Sequence, residues 1–517
     1  MKKPGSRATP GRRPPLADAR NSGSSAVVGS RTYAAYVLGV LTLINLLNYL
    51  DRNVVFAVFE PVKHELHVTD QQLGWLGSAY IILLSLCSIP LGVLGDLKSR
   101  RVVIAWSLGF WSLVTSAAGF VRGFGQLVFC RSLAGVGEAG YSPASQAIIA
   151  DYYKGRARAF AMGIYSVGTA VGGILGIWLG GVIAARYGWR WAFIPMGIPG
   201  LMLAAAAARI REVDERAATP VRALLVKWYR TGMRHVVRYV VPVAMLSALG
   251  AITAAVLDLT FDLSFDRSMA VFGVFVAAGL AWTVARLVPV AVRRTADAGD
   301  VAASAFEEFL EAATVVLRTP TLIWVFVGGA MVTFAVNGLI AWAATFMARV
   351  HNMSVPDFSA RFGVWALAGG ISGVLAGGKI GDWLQIRWPG GRVVASGAGF
   401  ILGGPLVAWL VFSGSLRGFA PLLFGIYFFY TWYNGPLAAV IFDVVPAAVR
   451  ASVTGGFVLF SHLAGDALAP PLVGYLSDKT HSIQTAMLIL PVAGVVGGFV
   501  ILVALKTVAN DMQRVKR

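Results

Sequence analysis

Long apolar runs follow one another along the chain, with clusters of basic residues between them. A bilayer-crossing helix needs about 20 mainly apolar residues. Runs of that kind are read at Ala34–Phe59, Leu73–Leu94, Val102–Val121, Leu127–Ile149, Ala159–Ala184 and Trp191–Ala208. A second set is read at Leu322–Met347, Phe362–Ile380, Val393–Phe412, Pro421–Val444, Ala451–Leu476 and Ala486–Leu505. The order is six runs, a long middle segment, then six runs. The runs are too long for strands and too uniformly apolar for the helices of a water-soluble core.

The two sets repeat one another. Gly92-Val-Leu-Gly-Asp96 returns as Gly378-Lys-Ile-Gly-Asp382, 286 residues later. Asp151 and Arg158 return as Asp443 and Arg450, Gly163 as Gly455, and Pro143 as Pro436, at offsets of 292 or 293. This predicts an all-α membrane protein of two parallel six-helix bundles, residues 31–210 and 320–506, with the substrate site between them near the midplane.

The segment 211–319 holds two more apolar runs. Tyr239–Leu257 is uncharged, and Met269–Val292 carries only Arg286. Asp258, Asp262, Asp266 and Arg267 lie between them, and Arg230, Arg234, Arg238, Arg293 and Arg294 lie outside. Run length and charge placement favour an inserted hairpin that crosses twice, giving fourteen helices, over a pair of amphipathic helices at the membrane surface. Phe306–Val316, with Glu307, Glu308 and Glu311, reads as a short surface helix.

Composition agrees. Apolar residues make up 57% of the 517 and charged residues 13%, against about 25% charged in soluble domains. The net charge of +19 would suit nucleic acid elsewhere, but here the basic residues sit in loops and tails. Lys98, Arg100 and Arg101 follow the second run, Lys154, Arg156 and Arg158 the fourth, Arg209, Arg211 and Arg216 the sixth, and Lys506, Arg514, Lys516 and Arg517 the last. The positive-inside rule then makes both termini cytoplasmic, as in a bacterial inner membrane or its equivalent. Residues 1–30 read as a disordered basic tail and 507–517 as a second basic tail. Cys87 and Cys130 lie in apolar runs, so neither a disulfide nor a metal pattern is expected. A Walker A loop, a nucleophile elbow and HExxH are all missing, which argues against ATP-driven transport and most hydrolases. No cofactor is expected, and the chain is expected to be monomeric.

Ionisable groups inside apolar runs mark candidate chemistry. The first run holds Asn45, Asn48, Tyr49, Asp51 and Arg52. At about 100° per residue, Asn45, Asn48 and Arg52 share a narrow arc with Asp51 beside it. A helix end at Asp51–Arg52 is the alternative, but the apolar run continues to Val58. The fourth run holds Glu138, in Gly135-Val-Gly-Glu-Ala-Gly-Tyr141-Ser-Pro143. A buried carboxylate must pair with a cation or hold a proton; Arg52 and Arg131 are the candidate partners. Asp51 and Glu138 are therefore expected to carry the proton, with Arg52 alternating between an acid and an anionic substrate. Position 337, the repeat of position 51, is Asn337, so proton chemistry should concentrate in the first half. Trp432, Tyr433 and Asn434 form a polar-aromatic wall, and His462 and Asp466 share a helix face suited to a headgroup or a proton.

Gly92-Val-Leu-Gly-Asp96-Leu-Lys-Ser-Arg100-Arg101 resembles the loop signature of the major facilitator superfamily. Arg131 sits where that superfamily's fourth-helix motif has its arginine. Gly163-Ile-Tyr-Ser-Val-Gly-Thr169-Ala-Val-Gly-Gly173 resembles its antiporter motif but has Thr169 where that motif has proline, so antiport does not follow. Asn48-Tyr-Leu-Asp51-Arg52, Gly135-Val-Gly-Glu138-Ala and His462-Leu-Ala-Gly-Asp466-Ala-Leu-Ala-Pro470 together look like the Spinster branch. The resemblance implies a proton-coupled transporter of an amphipathic, phosphate-bearing lipid such as a lysophospholipid or sphingosine 1-phosphate. It implies proton-coupling roles for Asp51, Arg52 and Glu138. Substrate contacts are expected at Arg52, Asn48, Tyr49, Tyr141, Asn337, Tyr433, Asn434, His462 and Asp466, and gating contacts at Asp96, Arg101, Arg131, Arg158, Asp382 and Arg450. Small organic anion symport, drug export, and a membrane sensor or scaffold are the rival readings.

Overall fold

The computed structural model describes residues 31–97, 99–212, 312–446 and 449–516, with isolated positions from 246 to 282. The inserted hairpin read at Tyr239–Val292, apart from those isolated positions, and the first part of the surface helix read at Phe306–Val316 lie outside the described residues. Residues 312–318 are helical.

The described chain makes twelve crossings, numbered here as spans one to twelve. The first three are Arg31–Ala57, Asp70–Leu97 and Arg100–Ala118. Span four comes in two pieces, Phe124–Glu138 and Tyr141–Tyr152; span five is Gly155–Tyr187; span six opens in short 3-10 turns and continues as Gly197–Ala208. Pro320–His351, Val355–Arg387 and Gly391–Phe412 are spans seven to nine. Span ten is again two pieces, Phe419–Tyr430 and Asn434–Val444. Span eleven runs from Arg450 to Thr480 through a π-turn at His462–Asp466, and span twelve from Ile483 to Lys506. Nine helices among the described residues are long and apolar enough to cross a membrane.

The runs read as single fourth and tenth helices are each broken, at equivalent places. Pro143 and Pro436 carry no N–H for the carbonyls four residues earlier, Ala139 and Trp432, and the helices give way to turns at 139–140 and 431–433. The packing also repeats. Spans one and five, two and four, and three and six pack together in the first half, as seven and eleven, eight and ten, and nine and twelve do in the second. The halves meet through span two on span eleven and, in mirror fashion, span eight on span five.

Span five approaches span one on a ridge of glycines, Gly168, Gly172, Gly176 and Gly180, one per turn. A Cβ at Gly172 or Gly176 would lie 2.3 Å from the carbonyl oxygen of Leu46 or Leu50. In lipid, where apolar burial gives helices little reason to associate, such backbone approach is what holds spans together.

The two ends of the bundle differ. At the end reached by Ala57, Asp70, His351 and Thr480, the halves are latched. Arg349 of span seven donates to both carboxylate oxygens of Asp70, at 2.6 and 2.8 Å, and to Glu60 at 2.8 Å. Lys63 pairs with Asp70 at 2.5 Å, and Ser477 donates to it at 2.6 Å. The backbone N–H groups of Asp70 and Gln71 donate to Asp478 at 3.0 and 2.9 Å, so span eleven caps the N-terminus of span two. Among the described residues, every hydrogen bond joining the halves lies at this end.

At the opposite, basic end the polar contacts seen among the described residues stay within each half. Arg100 pairs with Asp151 at 2.7 Å, and 292 residues on Arg392 pairs with Asp443 at 2.6 Å. Arg158 donates to the carbonyls of Tyr153 and Ala150, and Arg450 to that of Val445. Gly172→Val is expected to lower thermal stability in detergent by about 1–3 kcal/mol through overpacking. Gly163→Ala, whose Cβ would meet open space, should leave the melting curve unchanged.

Candidate substrate and proton site

The polar stripe of span one is buried. Asn45, Asn48 and Asp51 expose 2%, 4% and 1% of their surface. One oxygen of Asp51, Oδ2, accepts from Trp111 Nε1 at 3.1 Å, Thr115 Oγ1 at 3.2 Å and Arg131 Nη1 at 3.1 Å. Arg131 is equally buried; its Nη2 lies 3.4 Å from the Asp51 carbonyl, and its guanidinium stacks over Tyr80 with 5.2 Å to the ring centre. Spans one, three and four are tied together at this carboxylate.

Glu138 ends the first piece of span four and is 1% exposed. The Tyr80 hydroxyl donates to its Oε2, while Asn48 and Asp51 adjoin it. Its Oε1 has no partner among the described residues, and the same holds for Asp51 Oδ1, Asn48 Nδ2 and Arg131 Nε.

The arginine expected to hold one of these acids does not. Arg52 is half-buried and lies against aromatic rings, 5.8 Å from the centre of Tyr49 and 5.7 Å from that of Tyr80. Among the described residues it forms no ion pair. Arg131, the other candidate partner and one of the residues expected to act in gating, pairs with Asp51 in the interior. The i, i+1 spacing of Asp51 and Arg52 points them in different directions around the helix, so span four supplies the cation.

A second chain of bonds continues the stripe. Tyr141 donates to Asn45 Oδ1 at 2.9 Å, and Asn45 Nδ2 donates to the Tyr165 carbonyl at 2.8 Å and to Thr169 Oγ1 at 2.9 Å. Thr169, the departure from the antiporter motif, thus holds span five to span one by a side-chain bond that proline could not make.

In the second half His462 Nδ1 and Asp466 Oδ2 lie 2.6 Å apart. Asn337 donates to the Asp466 carbonyl at 3.0 Å. Tyr433 stands near both Asp466 and Tyr49, which brings the walls of the two halves together, and Asn434 is exposed. The remaining expected gating residues are at the basic end. Arg101 donates its backbone N–H to Glu212 at 2.7 Å and its guanidinium to the Ile210 carbonyl at 3.3 Å, and Asp382 pairs with Arg392. The side chain of Asp96 lies outside the described residues. None of the described gating side chains bridges the halves.

The Major Facilitator Superfamily model matches residues 41–288. The chain is 25% identical over 464 residues to Protein spinster of Drosophila melanogaster, across 88% of this chain and 64% of that protein, so it spans just under two thirds of that relative. It is 25% identical over 453 residues to an MFS-type efflux pump of Mycolicibacterium smegmatis, covering 87% of this chain and 85% of the pump. A shorter stretch of 157 residues is 32% identical to a sphingosine-1-phosphate transporter of Xenopus tropicalis, covering 30% of this chain and 31% of that one. The fold matches a solved structure of a bacterial homolog of the human lysosomal transporter Spinster, inward-facing and unoccupied. The TM-score is 0.65 at 22% identity, with 94% of this chain and 98% of that one covered. The chain has the major facilitator fold and is similar to Spinster-like transporters of that superfamily.

At this site, sequence reading missed Tyr80, Trp111 and Thr115. Tyr80 left a signal, a phenol inside the apolar second run; Trp111 and Thr115 left none, because indoles and hydroxyls are common in lipid-embedded helices. Chemically, Asp51 has a directly bonded cation in Arg131, whereas Glu138 beside it forms no ion pair among the described residues. Breaking the buried pair is expected to cost about 3–5 kcal/mol. Arg131→Met alone should sharply reduce the yield of monodisperse protein, and Asp51→Asn with Arg131→Met should recover much of it, as size-exclusion profiles and melting curves would record.

Proposed function

We propose that this chain is a proton-coupled transporter that works by alternating access and moves an amphipathic anion, a lysophospholipid or a sphingosine-phosphate-like lipid. The observation that carries the reading is the burial of Asp51 and Glu138 side by side with one directly bonded arginine. Placing the basic end in the cytoplasm by the positive-inside rule makes the conformation latched at the far end an inward-facing one.

Arg131 neutralises Asp51, and Glu138 takes the exchangeable proton. With that proton bound, the pocket adds no net negative charge beside Arg52, which is then free to meet an anionic headgroup. When Glu138 gives up its proton, the uncompensated anion draws on Arg52 and weakens its hold on the headgroup. Asn48 and Tyr141 line the proton side. Tyr49, Tyr433 and Asn434 flank the apolar tail, while Asn337, His462 and Asp466 complete the far wall. In the opposite state the basic end closes, with Asp96, Arg101, Arg158, Asp382 and Arg450 near the line of contact.

The sphingosine-1-phosphate relative and the aromatic lining support the lipid. The efflux-pump relative, similar along most of the chain, supports a second reading in which amphipathic drugs are exported. The test is uptake of a labelled lysophospholipid into proteoliposomes, with and without an imposed pH gradient. Gradient-stimulated uptake is expected, and Glu138→Gln should reduce it to the level seen without a gradient while leaving lipid binding intact. Wild-type uptake by that variant overturns the coupling role. No lipid movement, with gradient-driven movement of a cationic dye, selects the export reading.

A further inference from the structure

Span eleven changes register in mid-membrane. In an α-helix the Asp466 carbonyl would accept from the N–H of residue 470, and in a π-helix from that of residue 471. Both residues are proline and have none. Span seven supplies the missing donor, Asn337 Nδ2 at 3.0 Å. One turn earlier Thr333 Oγ1 donates to the Ser461 carbonyl at 3.1 Å, and the wide turn closes through Ala467 N–H to the His462 carbonyl at 2.9 Å. Gly465 lets span seven in, since a Cβ there would lie 2.2 Å from Thr333 Oγ1 and 2.4 Å from the Ala330 carbonyl oxygen.

The same two spans end in the far-end latch. Beyond the π-turn, Ala469–Thr480 carries Ser477 and Asp478 onto the N-terminus of span two. Beyond Asn337, span seven carries Arg349 onto Asp70. Between turn and latch the contact with span two is backbone-close, a Cβ at Gly74 falling 2.4 Å from the Pro470 carbonyl oxygen.

We propose that the π-turn of span eleven is a hinge whose register sets the far-end latch, with Asn337 as the positioning residue that favours the latched register. Conversion of the π-turn to α removes one residue from the turn, a rotation of about 100° and a shift of about 1.5 Å for everything beyond it. Bonds of 2.6–3.0 Å from Ser477 and Asp478 do not survive that displacement. A substrate group that takes His462 or Asp466, which face each other across the turn, therefore acts on the far end. The proposal requires only that the halves alternate, whatever the substrate and whether or not protons drive it.

The experiment is distance measurement by double electron–electron resonance in nanodiscs. Spin labels go at His64 and Thr485, exposed at the far end of each half, with Cys87 and Cys130 replaced by alanine. Asn337→Ala is expected to raise the long-distance, far-end-open population about fivefold, as loss of one hydrogen bond to a buried carbonyl implies. Pro470→Ala, which restores the α-register donor and so does not threaten folding, should shift the distribution the same way. Asp478→Asn added to Asn337→Ala should give less than the sum of the two effects, because both act on one latch. Thr345→Val, on span seven but away from the turn, serves as control. Wild-type distances in both Asn337→Ala and Pro470→Ala, or an equal shift in the control, overturns the hinge.

Discussion

The ion pair between Asp51 and Arg131 is the contact around which the first half is organised. Two charges moved out of water are tolerated only where each is bonded well enough to offset its lost solvation. One oxygen of Asp51 therefore collects an indole, a hydroxyl and a guanidinium from two other spans. Those bonds require the spans to stand close, and the close approach comes from residues without side chains. The glycine ridge of span five lies against the carbonyls of span one, and Gly135 of span four would bring a Cβ within 2.3 Å of the Tyr80 carbonyl oxygen. Small residues in the interfaces and charged residues in the interior are thus two parts of one arrangement.

Burial also explains why the site has capacity to spare. Asp51, Asn48, Arg131 and Glu138 each keep a buried polar atom without a partner among the described residues. A finished structural cluster would have satisfied them. The unpartnered atoms set Asp51 and Glu138 apart from the engaged charge pairs at either end of the bundle.

The backbone follows the same accounting. Without water to satisfy a stray carbonyl, each interruption of a membrane helix must be met by another group of the protein. Pro143 and Pro436 break spans four and ten at equivalent positions, and Pro470 and Pro471 leave the Asp466 carbonyl to Asn337. The far end joins the halves through charged and capping bonds, whereas the basic end keeps Arg100–Asp151 and Arg392–Asp443 inside their own halves. Among the described residues, the halves are thus bonded to each other at one end and not at the other.

Much of this was legible in the chain because it depends on local or repeated pattern. Run length reports crossings, since the bilayer has one thickness. A constant offset reports two parallel halves, and a polar stripe in an apolar run marks a surface that cannot face lipid. Asp51, Glu138 and His462–Asp466 were singled out that way, the last pair because four residues is about one helical turn. What only the tertiary structure decided were the partners. Asp51 chose Arg131, eighty residues away, over adjacent Arg52, because partner choice depends on how helices are rotated against one another. The latch of Asp70 with Arg349, Ser477 and Asp478 joins residues some 280 to 410 positions apart, and ordinary loop charges gave no hint of it. Hydropathy fixes that a helix crosses and roughly which face is polar; which polar groups then meet is set by backbone-close packing between spans, an interaction that leaves no periodic trace in the sequence.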